Sequence, residues 1–210
     1  MLLLLLRNQT IMVIHCSKTI FDENNNLSTD KNIDYTDTYF NPYYKNFSLS
    51  EFQKWAIKSI VDGDNVLITA HTGSGKTLPA EFAIQYLVSQ GKKLIYTTPI
   101  KALSNQKLFD FRRKFPDISF GILTGDSKDN PEADVLIMTT EILRNTLFNK
   151  KMNENDNPVK TPLLFEMDFN NELGAVVFDE VHYINDSERG SVWEQSILLL
   201  PPQVQILMLS

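Results

Sequence analysis

Six short apolar runs recur from residue 65 onward, and helical patterns lie between most of them. The runs are "NVLITA" (65–70), "KLIYTT" (93–98), "SFGIL" (119–123), "DVLIMT" (134–139), "GAVVFD" (174–179) and "VQILML" (204–209). Helical spacing marks 76–90, 101–114, 140–149 and 190–199. Strands that are apolar on both faces, with helices between them, predict an α/β domain: a mostly parallel sheet covered on both sides. One further helix is expected over "LSEFQKWAIKSIVDG", where Phe52, Ala56, Ile57 and Ile60 share a face. Ser50 is its expected N-cap and Gly63 its stop.

The rest of the chain bounds what this domain can be. Hydrophobic residues make up 42%, enough for a real core. A net charge of -6 argues against a broad basic surface for nucleic acid, and leaves room for a local site built on backbone amides. Cys16 is the only cysteine, so no intrachain disulfide forms, which fits an intracellular setting. The opening leucines end at Leu6, far short of the ~20 apolar residues a membrane span needs, so no membrane association is expected. Residues 1–46 read as a mostly irregular extension and 47–210 as the folded domain. Residues 150–172 are polar, hold two prolines and exceed an ordinary connection, so a surface insertion is expected there.

The chemistry begins at "AHTGSGKT", Ala70, His71, Thr72, Gly73, Ser74, Gly75, Lys76 and Thr77. It falls between an expected strand and helix, where free backbone N–H groups and the helix dipole favour an anion. Gly73 and Gly75 let the backbone curl around a ligand. Lys76 supplies a charge for the terminal phosphates, and Thr77 offers a hydroxyl to Mg²⁺. This is a P-loop, with Ala70 where the usual pattern has glycine. The second site is Asp179-Glu180, at the end of the apolar run Val176-Val177-Phe178. Parallel sheets bind ligands beyond their strands' carboxyl ends, so the pair can face the loop. Asp179 is expected to hold Mg²⁺ through water, and Glu180 to deprotonate the attacking water. Lys76, Asp179 and Glu180 are thus the catalytic candidates, with ATP and Mg²⁺ as ligands. No Asn-Lys-x-Asp run is present to read guanine.

"DEVH", Asp179 to His182, resembles motif II of the DExH-box superfamily 2 helicases. "DEVHYINDSERGSVWEQSILLLP" and "TTEILRN" resemble the superkiller-like branch, which includes exosome-associated RNA helicases. The resemblance implies a RecA-like P-loop NTPase domain acting on single-stranded nucleic acid, with RNA favoured over DNA. It implies that Gln53 reads the adenine edge and that Phe47 packs near it. It implies strand contacts from Pro99, Lys101, Ala102 and Gln106 in "TTPIKALSNQ", from Thr124 and Gly125 in "TGD", and from Thr139, Thr140 and Glu141 in "TTE". His182 either links the ATP site to motif III or packs in the core; Trp193 and Leu198 are expected in the core. In this family motif III reads Ser-Ala-Thr, and Ser210 matches its first residue. The resemblance therefore implies a first RecA-like domain that needs a second, in cis or trans, for full activity. A DNA helicase of the same superfamily and a non-catalytic nucleotide- or partner-binding fragment are the alternatives.

Overall fold

A computed structural model describes residues 49–154 and 163–210. The 1–46 extension, Phe47 and the middle of the 150–172 stretch lie outside the described residues. Seven strands form one sheet: β1 (Val66–Ile68), β2 (Lys93–Thr98), β3 (Phe120–Leu123), β4 (Lys128–Asp129), β5 (Val135–Thr139), β6 (Leu173–Phe178) and β7 (Gln205–Leu209). Their order is β1-β7-β6-β2-β5-β3-β4. Every pairing is parallel except that of β3 with β4. Among the described residues, five α-helices accompany them: α1 (Glu51–Asp62), α2 (Leu78–Ser89), α3 (Lys101–Lys114), α4 (Thr140–Glu154) and α5 (Gly190–Leu199).

Alternation along the strands builds two cores. In β2, Leu94 and Tyr96 enter one apolar cluster and Ile95 the other. In β5, Val135 and Ile137 join the first, Leu136 and Met138 the second. The first cluster takes α1, α2 and the Phe111 end of α3; the second takes Leu143 and Leu147 of α4 with Trp193 and Ile197 of α5. This two-sided burial is what a period of two demands when both faces of a sheet are covered.

Local chemistry sets the ends of α1. The Ser50 N–H donates to Gln53 Oε1 at 3.0 Å, closing the first turn. Gly63 ends it in the left-handed region at φ 83°, which glycine adopts without strain.

The structure departs from the sequence-based expectations in six places. The helix after the phosphate loop begins at Leu78 rather than 76, and β1 is only Val66–Ile68. The antiparallel β4 carries only Lys128 and Asp129, too short for a hydrophobic period to register. A 3-10 helix, Val181–Asn185, follows the acidic pair. The 150–172 stretch is not simply a surface insertion: α4 runs on to Glu154, and Phe165, Met167 and Phe169 are buried in the second cluster. Those three positions alternate with Glu166 and Asp168, a period of two that the polar composition of the longer stretch hid. Trp193 is fully buried as expected, but Leu198 is 54% exposed, on the outer side of α5, and is not core.

Candidate nucleotide site

Because the central strands run parallel, β1, β2, β3, β5, β6 and β7 all end on one edge of the sheet. Among the described residues, every candidate except Gln53 lies at or after one of those ends, so one edge collects them. The loop 70–77 continues β1, and the Ala70 N–H still donates to the Ser210 carbonyl at 3.1 Å. Beyond it the chain turns through Gly73 at φ 84° and Gly75 at φ 82°, both in the left-handed region. A Cβ on Gly75 would lie 2.6 Å from Gln53 Nε2, so a side chain there would displace the Gln53 amide and strain a left-handed backbone. Gln53 is buried on α1, and its Nε2 donates to the Gly75 carbonyl at 3.1 Å. That bond ties α1 to the phosphate loop. Thr77 is the N-cap of α2, and Pro79 sits in the first turn, where its missing N–H costs nothing.

The acidic pair reaches the loop. Lys76 Nζ lies 3.6 Å from Glu180 Oε2, about a hundred residues away along the chain. Glu180 is the N-cap of the 3-10 helix and holds φ 52°, ψ 46°, a left-handed conformation uncommon outside glycine. His182, 52% exposed, sets its Nδ1 3.4 Å from the same Glu180 oxygen, so it is not a packed core histidine.

Asp179 is only 4% exposed and well anchored. Its Oδ1 accepts the Glu180 N–H at 3.0 Å. Its Oδ2 accepts the Tyr96 hydroxyl at 2.7 Å and lies 3.2 Å from Lys107 Nζ. Burial, with the Asp179 charge adding to it, raises the Tyr96 pKa well above 10, so this phenol stays a donor throughout the physiological range.

The residues present fit a magnesium nucleotide. Ser74 Oγ is buried without a hydrogen-bond partner, and a phosphate oxygen would satisfy it. Among the described residues, no three His, Cys, Asp or Glu side chains gather as a metal cage. Mg²⁺ needs none: it is commonly held by one or two carboxylates, water and substrate phosphates. Asp179 and Thr77 are the residues that would hold it.

The candidate strand-contact residues divide. Lys101, Ala102, Gln106 and Gly125 are exposed, and Thr124 is half-buried. Lys101 Nζ pairs with Asp126 Oδ2 at 2.5 Å, drawing the start of α3 to the end of β3. Ile100, the N-cap of α3, provides no side-chain cap, which leaves first-turn amides for an anion. Pro99, Thr139 and Thr140 are buried, so their side chains are not open to a strand. Glu141 is ion-paired with Arg189, whose Nη2 also donates to the Pro99 carbonyl at 2.6 Å. That carboxylate supports the loops rather than facing a polyanion.

Sequence reasoning missed Tyr96, Lys107 and Arg189. Lys107 directly follows Gln106, yet its target is distant along the chain. Tyr96 looked like one more residue of an apolar strand. Neither position carries a signal of its own, because each acquires its partner only through the sheet.

Replacing Gly75 with Ala should strain the loop by about 1–2 kcal/mol and push Gln53 aside. We expect weaker nucleotide binding and a melting temperature lower by several degrees, measured by titration and melting. Unchanged binding would show that the curl at Gly75 is dispensable.

The family model for DEAD/DEAH box helicases matches residues 50–210. The antiviral helicase SKI2 of Saccharomyces cerevisiae is 46% identical over 78% of this chain and 12% of its own length. Superkiller complex protein 2 of Homo sapiens is 47% identical over 78% of the chain and 12% of its own length. The exosome RNA helicase MTR4 of Homo sapiens is 42% identical over 78% of the chain and 14% of its own length. The chain thus spans about one eighth of the length of these curated relatives. A match that runs from Ser50 to Ser210 takes in both the phosphate loop and the acidic pair, and it leaves one assignment: the chain belongs to the DEAD/DEAH box helicase family.

Proposed function

We propose that this chain is the ATP-binding motor domain of an ATP-dependent RNA helicase. The observation that carries the proposal is the 3.6 Å approach of Lys76 Nζ to Glu180 Oε2, which sets the phosphate loop beside a carboxylate able to take a proton. The loop amides and Lys76 bind the phosphates, and Gln53 ties α1 to that loop. A bound magnesium ion would offset phosphate charge. Glu180 orients water against the γ-phosphate and accepts its proton. The water oxygen bonds to the γ-phosphorus as the bond to the β–γ bridging oxygen breaks, and ADP leaves with that oxygen.

RNA is favoured because relatives similar to this chain are named as RNA helicases. The exposed α3 start and the Gly125 turn supply amides and the Lys101 charge for the backbone of one strand. A second RecA-like domain, in cis or in trans, would complete the ATP cleft. Among the described residues, no helix is long and apolar enough to cross a membrane.

The test is binding of a fluorescent ATP analogue with magnesium, with Lys76→Ala as the control. Losing one charge-assisted contact, about 1.5–3 kcal/mol, should weaken binding roughly 10–150-fold. Equal binding by K76A would remove the phosphate-loop assignment. Comparing stimulation by single-stranded RNA and single-stranded DNA in the complemented protein decides the substrate, and a preference for DNA would overturn the RNA assignment.

A further inference from the structure

Three donors divide the two oxygens of Asp179. The Tyr96 hydroxyl and the Lys107 ammonium both engage Oδ2, at 2.7 and 3.2 Å. Among the described residues, only the Glu180 N–H engages Oδ1, at 3.0 Å. An ionised carboxylate has about four acceptor positions, two on each oxygen. Oδ2 is therefore filled, and Oδ1 keeps one position open. The Asp179 side chain is 6% exposed, so it has little freedom to present any other edge.

Lys107 is itself held in place. Its side chain is 20% exposed, and its Nζ lies 5.5 Å from the centre of the Tyr96 ring and 5.9 Å from that of Phe111. Such a setting favours a fixed ammonium over a mobile one, since the rings and the carboxylate offset its partial desolvation. The lysine comes from α3, the helix that begins with Lys101 and Ala102 and carries Gln106. The grip on Asp179 therefore originates on the element that a nucleic-acid strand would touch.

We propose that Lys107 is a positioning residue for the metal-site carboxylate: together with Tyr96 it fixes Asp179 through Oδ2, so that Oδ1 is the oxygen presented to a metal's hydration shell. The proposal rests on the nucleotide-binding reading above. Lys107 has two opposed influences on a divalent cation. Its charge repels the ion, and its grip keeps the carboxylate in register. Removing it would tighten magnesium binding if charge dominated and loosen it if grip dominated. The geometry favours grip, because Lys107 and Tyr96 both engage the oxygen that is not left open. Partners of metal-holding groups are typically worth about 10–100-fold in metal affinity.

The experiment titrates magnesium chloride into the 210-residue chain with a fluorescent ATP analogue, and repeats the nucleotide titration in EDTA. Lys107→Met should weaken the apparent magnesium affinity by about 10–100-fold while leaving metal-free nucleotide binding unchanged. Lys107→Arg, which keeps the charge, should retain most of the magnesium affinity, and Tyr96→Phe should lose part of it. Three results would overturn the proposal: an unchanged magnesium response in K107M, a tighter one, or equal weakening with and without metal. The rescue by K107R separates a lost grip from a misfolded variant; if K107R fails as K107M does while both melt normally, the grip is not what matters. Failure of the unaltered chain to bind nucleotide at all would overturn the function reading, and this proposal with it, before any variant is made.

Discussion

Replacing Glu180 with Gln is expected to lower ATP turnover by about 10²–10⁴-fold, the usual worth of a positioned general base. Gln keeps the shape and a hydrogen-bonding oxygen but cannot take a proton. Nucleotide affinity should change little, since Lys76, the loop amides and Asp179 all remain. The 3.6 Å Lys76–Glu180 contact is a loose ion pair between partly exposed groups, so its loss is a minor cost beside the lost base. The measurement is single-turnover hydrolysis in the presence of a second RecA-like domain, set beside binding of the same nucleotide. His182→Ala is the companion variant, because His182 shares the Glu180 oxygen at 3.4 Å. A full rate in E180Q would show that another group takes the proton, and His182 would be the first to examine.

The second large effect is the gain from a second RecA-like domain. An arginine supplied to the transition state of phosphoryl transfer is worth about 10³–10⁵ in rate. Within the described residues, Arg112 pairs with Asp129, Arg113 with Asp110 and Arg189 with Glu141, while Arg144 lies on α4 with its Nε buried. None of the described ion pairs or hydrogen bonds brings an arginine to Lys76 or Glu180. Supplying a second RecA-like domain, fused or in trans, should therefore raise ATP turnover by about 10³–10⁵-fold over these 210 residues alone. Substituting the arginine of that domain should return the rate to the level of the single domain. Rapid turnover by the 210 residues alone would show that the charge is supplied from within them. That result would leave the nucleotide site intact and overturn only the division of labour.

The two sites were legible to different degrees for physical reasons. The phosphate loop is local chemistry: glycines that tolerate positive φ, a lysine and a hydroxyl, all within "AHTGSGKT". Such a unit is readable because the neighbours that define it are neighbours in the chain. The Asp179-Glu180 pair was readable for a related reason, since an apolar run ending in two acids marks a buried strand with a charged tip. The candidate strand-contact residues were harder. Pro99, Thr139 and Thr140 lie in the expected motifs but are buried, and burial depends on what the rest of the sheet places above them.

The sequence by itself determined the alternation of strands and helices, the covered parallel sheet, the phosphate loop and the acidic pair, because periodicity and backbone freedom are properties of short segments. Only the tertiary structure decided that Tyr96 and Lys107 share one oxygen of Asp179, that Arg189 occupies Glu141, that Phe165, Met167 and Phe169 complete the second core, and that Leu198 faces outward. Each of those facts joins residues brought together by strand order and helix placement, and a buried charge takes its partner from whichever side chains that arrangement sets within reach.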